Sequence, residues 1–178
     1  MPSVGPAMAA DHPLDTAALV VSTSRLFHNY RHTSNALLMY DALRRLGVPD
    51  RKIVLMLAGS VPCDARNALR PSMFGTASRE VDLLPCNAQV DVRQDEVTVD
   101  AMLRILSGRH AATEMGAARR LHAGPRTRLI LYMTGHGGDG FLKFNDQFEL
   151  AANELAAAAH AAFALGRFSE LLLLIDTC

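Results

Sequence analysis

The chain has 178 residues, enough for one domain with a buried core, and its formal charge is +0 at pH 7. A balanced charge gives no sign of a nucleic-acid partner, and none is expected. No apolar run approaches the roughly 20 residues that span a bilayer, and residues 1–16 lack the apolar centre of a signal peptide. The 3 cysteines are an odd number without CxxC spacing, which favours neither a disulfide framework nor a zinc site.

The first half of the chain predicts a strand, a helix and a second strand. Residues 1–16 are expected to be disordered, and the apolar run 17–22 is typical of a buried strand. A polar, basic stretch over 23–32 predicts a loop. Apolar residues then recur at three- and four-residue steps over 33–46 and predict an amphipathic helix. The run 53–57 predicts the next strand, with a right-handed crossover between the two.

The second half continues this alternation after an irregular stretch over 58–89, where prolines are frequent and no period is sustained. The elements predicted there are a helix over 99–107 capped by Thr98, a surface loop over 110–127, a strand over 129–134, a short strand over 141–144, an alanine-rich helix over 149–165 and a strand over 171–175. Strands that alternate with helices predict an α/β fold whose helices cover a largely parallel sheet.

A glycine cluster follows the strand at 129–134 and holds His136 within the sequence TGHGGDG. Open α/β sheets place their sites at the carboxyl ends of such strands. The letters also fit the phosphate-binding pattern GxGxxG, but the FLKF that follows predicts a strand where that motif needs a helix. His136 is therefore a candidate catalytic base beside glycine amides that can face an oxyanion, and a solvated histidine in a turn is the alternative.

A cysteine ends the next predicted strand, because 171–175 is followed by Asp176, Thr177 and Cys178. A histidine and a cysteine at the carboxyl ends of successive core strands are the minimum for thiol acylation chemistry. Asn29, in the predicted loop after the first strand, can reach the same edge. For Cys178 alone, a buried structural thiol is the alternative.

Four segments together carry a resemblance to a known family: FHNYRH, LGVPDRKIVLML, YMTGHGGDGFLKF and LLLLIDTC. They resemble the caspase-like cysteine peptidases of the legumain group. Within that group the chain is most similar to the family of catalytic subunits of glycosylphosphatidylinositol (GPI) anchor transamidases. The resemblance implies that 17–178 form part of a caspase-like three-layer sandwich, truncated after the strand that carries the catalytic cysteine.

The resemblance also implies roles for individual residues. Cys178 is the nucleophile, His136 the base and Asn29 the residue that orients the imidazole. The other implied site residues are Gly137 in the oxyanion hole, Arg31 and Asp176 in substrate binding, Cys63 in a disulfide to another subunit, and Asp50 and Asp91 at a structural calcium site. Gln89 stands where a further carboxylate is expected, which weakens that calcium site. No cofactor is required for the chemistry itself.

The activity implied by the resemblance is transamidation, in which a cysteine thioester replaces the carboxyl-terminal signal of a precursor protein and a GPI lipid then takes its place. The implied partners are other transamidase subunits, the precursor signal and the GPI lipid, at the endoplasmic reticulum membrane with a lumenal catalytic domain. The sequence shows neither the signal peptide nor the membrane helix of that family, so we expect a partial sequence that is inactive alone. The alternatives are a soluble legumain-like cysteine endopeptidase and a non-catalytic caspase-like scaffold.

Overall fold

A parallel five-stranded sheet forms the centre of the computed structural model, which describes residues 15–75, 79, 82–83, 90–109 and 120–177. The elements in chain order are β1 (Asp15–Ser22), α1 (Tyr30–Arg45), β2 (Ile53–Leu57), β3 (Val92–Arg93), α2 (Val99–Ser107), β4 (Thr127–Thr134), β5 (Gly137–Gly138), β6 (Phe141–Phe144), β7 (Phe148–Ala151), α3 (Ala152–Ala164) and β8 (Glu170–Asp176). The central sheet has the order β3-β2-β1-β4-β8, and every pair in it is parallel.

Both faces of the sheet are covered at β1, as its alternating side chains show, whereas the edge strand β8 is largely exposed. Ala17, Leu19 and Val21 belong to the apolar cluster that holds the buried residues of α2 and α3. Ala18 and Val20 belong to a second cluster, which holds the buried residues of α1. All five residues are fully buried, as expected for a strand enclosed between two helical layers. The predicted α/β fold with a mostly parallel central sheet between helices is confirmed.

The start of β1 and the start of α1 both differ from the predicted boundaries. β1 begins at Asp15, inside the segment 1–16 that is predicted to be disordered, and residues 1–14 lie outside the described residues. α1 begins at Tyr30, so the predicted loop over 23–32 is wrong at its carboxyl end. The first turn of α1 was missed because its inner face is occupied by the polar residue His32, which is buried. A polar residue there does not contribute to the apolar period that predicts a helix.

The ends of α2 agree with the predicted stop and start signals. The Thr98 hydroxyl accepts a hydrogen bond from the Ala101 amide at 3.1 Å, and Gly108 ends the helix with φ +71°. α2 carries Met102, Ile105 and Leu106 into the core on one face. Within the described ranges, no helix is both long and apolar enough to cross a membrane.

The predicted helix over 149–165 is wrong at its amino end, because residues Phe148–Ala151 form β7. β7 pairs antiparallel with β6, and this pairing places Leu150 opposite Leu142 and Phe148 opposite Phe144. Leu142, Phe144 and Leu150 are buried, so the hairpin gains more from core packing than the local sequence gains from helix propensity. α3 begins only at Ala152, where the Glu154 carboxylate accepts a hydrogen bond from the Ala151 amide at 2.9 Å.

Candidate active site

The carboxyl ends of β1, β4 and β8 meet at one edge of the sheet. β1 continues along β4, since the Thr23 amide donates a hydrogen bond to the Thr134 carbonyl at 2.9 Å. β4 and β8 stay in register to their last residues, where Thr134 pairs with Asp176. Beyond that pair, the Thr177 hydroxyl donates a hydrogen bond to the Gly135 carbonyl at 2.9 Å. The segments that follow β1, β4 and β8 therefore begin side by side.

These contacts bear directly on the predicted base and nucleophile. His136 follows Gly135 in the sequence, and Cys178 follows Thr177. Cys178 itself lies outside the described residues. The structure thus brings together the two strand ends that lead to the predicted base and the predicted nucleophile.

His136 is hydrogen-bonded to Asn29, the residue predicted to orient it. The distance from His136 Nε2 to Asn29 Oδ1 is 2.8 Å. The Asn29 amide nitrogen donates to the Arg25 carbonyl at 2.7 Å and to Asp146 Oδ2 at 3.4 Å, so its oxygen is the atom that faces the histidine. An amide oxygen only accepts, and therefore His136 Nε2 carries the proton. In the neutral ring the lone pair is then on Nδ1, ready to accept a proton.

Asn29 precedes α1 without capping it, and the backbone just before it has an unusual conformation. It is buried and occupies the residue before the first turn of α1, a position where asparagine commonly caps the helix. Its side chain makes no such cap and contacts His136 instead. Upstream, Leu26 adopts φ +63° although it is not glycine, a conformation that persists only where the surroundings impose it. The Asn29 side chain does not cap the helix, and the backbone at Leu26 is strained. Both features are typical of a functional site.

Gly137, the predicted oxyanion residue, stands where no side chain fits. It pairs with Leu142 in the small antiparallel sheet of β5, β6 and β7. A Cβ atom at Gly137 would lie 2.7 Å from Thr177 Oγ1 and 2.8 Å from the Phe141 carbonyl oxygen. The glycine is therefore required for close packing between the histidine loop and the end of β8.

We expect Gly137→Ala to lower the free energy of unfolding by about 1–3 kcal/mol, as overpacking commonly does, and to reduce turnover more than tenfold. The clashing atoms belong to the backbone and to Thr177, so relief requires the histidine loop to move. Gly124→Ala is the matched control, because a Cβ at Gly124 meets no atom within 4 Å. Thermal melts and turnover assays of both variants test this prediction. Equal stability and equal turnover of Gly137→Ala and Gly124→Ala would contradict it.

Asp176 and Arg31, predicted to bind substrate, both lie near His32. Asp176 Oδ2 accepts hydrogen bonds from the Tyr132 hydroxyl at 2.7 Å and from the Asn35 amide at 2.9 Å. The bond from Tyr132 is the main reason that the pKa of Asp176 is lowered; the bond from Asn35 acts in the same direction and partial burial opposes both. Arg31 donates from Nε to His32 Nε2 at 3.0 Å. An exposed, ionised carboxylate and an exposed guanidinium thus lie at this edge.

Asp50 and Asp91, the predicted calcium ligands, both act on Tyr40. Asp50 accepts a hydrogen bond from the Tyr40 hydroxyl, and burial together with the two carboxylates raises the pKa of Tyr40 to about 12. Asp91 accepts a hydrogen bond from the Leu55 amide at 2.8 Å. Calcium takes six to eight oxygen ligands, and the described residues contain no group of three or more acidic, histidine or cysteine side chains placed to hold a metal. Among the described residues, Asp50 and Asp91 alone supply too few oxygen ligands for a calcium cage, and calcium binding stays a prediction.

Cys63, predicted to join another subunit, is disulfide-bonded. It lies in a short 3₁₀ turn, Val61–Cys63, and is exposed. The other cysteines, Cys86 and Cys178, are outside the described residues. A disulfide to another subunit would have to replace the present bond by thiol–disulfide exchange, so that pairing stays a prediction.

Four residues of the site escaped sequence analysis: His32, Tyr132, Asn35 and Asp146. Only His32 had a local signal, because it lies three residues after Asn29 and so faces the same side of one helical turn. Tyr132 and Asp146 come from other elements, and they meet the site residues through pairings that span more than forty positions. Such contacts follow from topology and have no periodic pattern in the sequence.

Comparison with known proteins agrees with this geometry. The sequence model of the peptidase C13 family matches residues 16–178. The chain belongs to the peptidase C13 family.

Three similar proteins are named GPI-anchor transamidase. The protein from Mus musculus is 44% identical over 161 residues, which are 90% of this chain and 40% of the relative. Those from Homo sapiens and Schizosaccharomyces pombe are 43% and 42% identical over 161 residues, covering 90% of this chain and 40% and 42% of the relatives. The chain thus spans about two fifths of the length of these curated relatives.

Proposed function

We propose that the intact protein is a thiol transamidase that removes the carboxyl-terminal signal of a precursor protein and attaches a GPI anchor. Cys178 Sγ bonds to the carbonyl carbon at the attachment site, and the peptide C–N bond breaks. His136 takes the thiol proton and delivers it to the leaving amine. The ethanolamine amine of the GPI lipid then attacks the thioester, transfers its proton to His136 and releases Cys178.

The observation that carries this proposal is the His136–Asn29 hydrogen bond beside the end of β8. Asn29 holds the proton of His136 on Nε2, which leaves Nδ1 to receive a proton from a thiol. Thr177 is hydrogen-bonded next to His136, and consecutive Cα atoms lie about 3.8 Å apart. Cys178 is the residue that follows Thr177 in the sequence, and this connectivity supports its role as the nucleophile.

The neighbouring groups support the remaining roles. The Gly137 amide lies on the residue after the base, where a peptide N–H can stabilise the developing oxyanion. We assign Arg31 and Asp176 to substrate binding, because both are exposed beside the histidine loop and carry opposite charges. A cysteine suits transamidation because a thioester reacts readily with amines, provided that the site excludes water.

The setting of the reaction follows from the relatives named GPI-anchor transamidase. We propose that the intact protein works at the endoplasmic reticulum membrane with its catalytic domain in the lumen, together with other transamidase subunits. An oxidising lumen is compatible with the disulfide at Cys63. Exchange of that disulfide would give the proposed link to a partner subunit, and non-reducing electrophoresis of the complex with and without Cys63→Ser would reveal it.

Product analysis with a small amine tests the function. The intact protein in its complex is incubated with a precursor protein and hydrazine, and the new carboxyl terminus is identified by mass spectrometry. A transamidase gives mainly the hydrazide, since the amine resolves the thioester. A product that is only the free acid would identify a legumain-like endopeptidase, and an uncleaved precursor would indicate a non-catalytic scaffold; either result contradicts the proposal.

A further inference from the structure

The imidazole of His32, which is buried, lies against the partly buried ring of His136. His32, in the first turn of α1, is only 4% exposed. Its ring centroid is 4.8 Å from that of His136, and the two rings meet edge to face at 83°. Aromatic rings attract each other in this arrangement, and their relative orientation is restricted by it. The two histidines are thus in direct contact inside the candidate active site.

Two hydrogen bonds fix the orientation and the tautomer of His32. Arg31 Nε lies 3.0 Å from His32 Nε2, and a guanidinium group only donates, so His32 Nε2 must accept. The proton of the neutral ring is therefore on Nδ1, which donates to the hydroxyl of the buried Ser24 at 2.8 Å. With both nitrogens engaged, the His32 ring cannot turn without breaking a buried hydrogen bond.

His136, in contrast, has one hydrogen bond among the described side chains, the one to Asn29. A single bond at Nε2 fixes the position of that atom but leaves the ring plane free to rotate about it. Catalysis requires Nδ1, on the other side of the ring, to face the thiol within hydrogen-bond reach. Something else must therefore hold the plane of the His136 ring.

We propose that His32 is a positioning residue for His136, whose ring packs edge to face on the catalytic imidazole and fixes the plane in which Nδ1 meets the thiol. The inference rests on the proposed function, in which His136 is the base. Asn29 sets where the ring is anchored, and His32 sets how it is turned.

The electrostatic surroundings agree with this role. Burial, followed by the charges of Arg31 and His136, lowers the pKa of His32, while Asp176 and Asp146 oppose these effects. His32 therefore stays neutral when His136 gains the proton of the thiol. A charged neighbour in ring contact would repel the imidazolium that forms during the reaction, whereas a neutral ring does not.

Burial separates this role from a role in substrate binding. A side chain that is 4% exposed and has both ring nitrogens occupied by Arg31 and Ser24 has no free polar atom to offer a substrate. Loss of His32 should therefore lower the turnover number and leave the Michaelis constant unchanged.

The test uses two variants of the intact protein in its complex. His32→Gln keeps an amide that can hydrogen-bond Arg31 but removes the ring, and we expect kcat to fall about 10- to 100-fold, the order of loss that a misplaced group produces, with KM within twofold of wild type. His32→Phe keeps an aromatic ring but removes both hydrogen bonds. Its kcat should be at least threefold higher than that of His32→Gln. His160→Gln is the control, because His160 is exposed on α3; its kcat should not change.

A second readout is the rate at which iodoacetamide alkylates Cys178 between pH 5 and 9. We expect His32→Gln to slow alkylation near neutral pH and His32→Phe to restore part of it. Unchanged kcat in both variants, a rise in KM alone, or a Phe variant that is no better than the Gln variant would each overturn the positioning role. If wild-type Cys178 reacts no faster than a free thiol, the proposed function itself fails, so the two failures are distinguishable.

Discussion

Replacement of Cys178 by alanine is expected to abolish anchor transfer by the intact protein. The thiol is the only group in the proposed mechanism that bonds to the precursor, and removal of a catalytic nucleophile has lowered turnover by as much as about a millionfold in other acyl-transfer enzymes. The precursor should still bind, because Arg31 and Asp176 are unchanged. Anchored product measured by gel shift in cells, together with co-purification of the precursor, checks both parts.

Cys178→Ser is the matched variant for this prediction. Its hydroxyl differs from the thiol by one atom, but it is far less acidic and a weaker nucleophile at neutral pH. It should therefore be as inactive as the alanine variant while melting at the wild-type temperature. Anchor transfer retained at more than a few per cent in either variant would refute the assignment of Cys178.

Loss of His136 should reduce turnover by about 10²- to 10⁴-fold, the usual contribution of a general acid–base group. Asn29→Ala should cost less, about 10- to 100-fold, because the imidazole remains but its tautomer and position are no longer fixed. The reason is the 2.8 Å bond between the two side chains, through which Asn29 acts on the catalytic imidazole. Turnover assays of purified complexes measure both effects.

The double variant makes this coupling measurable. If Asn29 acts only through His136, then adding Asn29→Ala to His136→Ala should lower turnover no further. Fully additive losses would mean that Asn29 has an independent role and would contradict the proposed pair. His160→Ala, on the exposed face of α3, is the control for loss of a histidine and should keep wild-type activity.

The inner strands of the central sheet, such as β2, were predictable because their sequences are apolar and they are buried on both faces, whereas the edge strand β8 is apolar in sequence but largely exposed. β2 occupies the predicted residues, Ile53–Leu57, and α2 occupies the predicted Val99–Ser107. In both cases the local signals agree with the tertiary environment: β-branched and apolar residues inside a sheet, and a threonine cap and a glycine stop around a helix. β4 begins two residues before the predicted strand, at Thr127, whose side chain is buried although it is polar.

The amino end of α3 shows where local preference was misleading. Residues 149–151 lie next to an alanine-rich run and were predicted to be helical, yet they form β7. The two buried cross-strand partners, Leu142 and Leu150, decide the outcome, and their pairing depends on the hairpin rather than on neighbouring sequence. Propensity is a weak prior whenever a segment can bury an apolar side chain in another way.

In the active site, too, residues with a local sequence signal could be predicted, and residues whose contacts depend on the tertiary structure could not. His136 could be found because glycine residues mark the end of an apolar strand, and Asn29 because of the family resemblance. His32 was not found, because its contact with His136 depends on the angle at which α1 meets the end of β4. The structure adds this ring contact and the buried hydrogen bonds that orient it, whereas the spacing of Asn29 and His32 indicates only that the two residues face the same side of a helical turn.

The mass of the intact protein after brief exposure to a precursor peptide tests the central claim most directly. We predict that wild type gains the mass of the amino-terminal peptide fragment on Cys178, and that hydroxylamine removes it, as it does for a thioester. The same treatment should leave Cys178→Ala unmodified and should label His136→Ala far more slowly. An adduct located on another residue, or cleavage of the peptide without any adduct that depends on Cys178, would contradict the account.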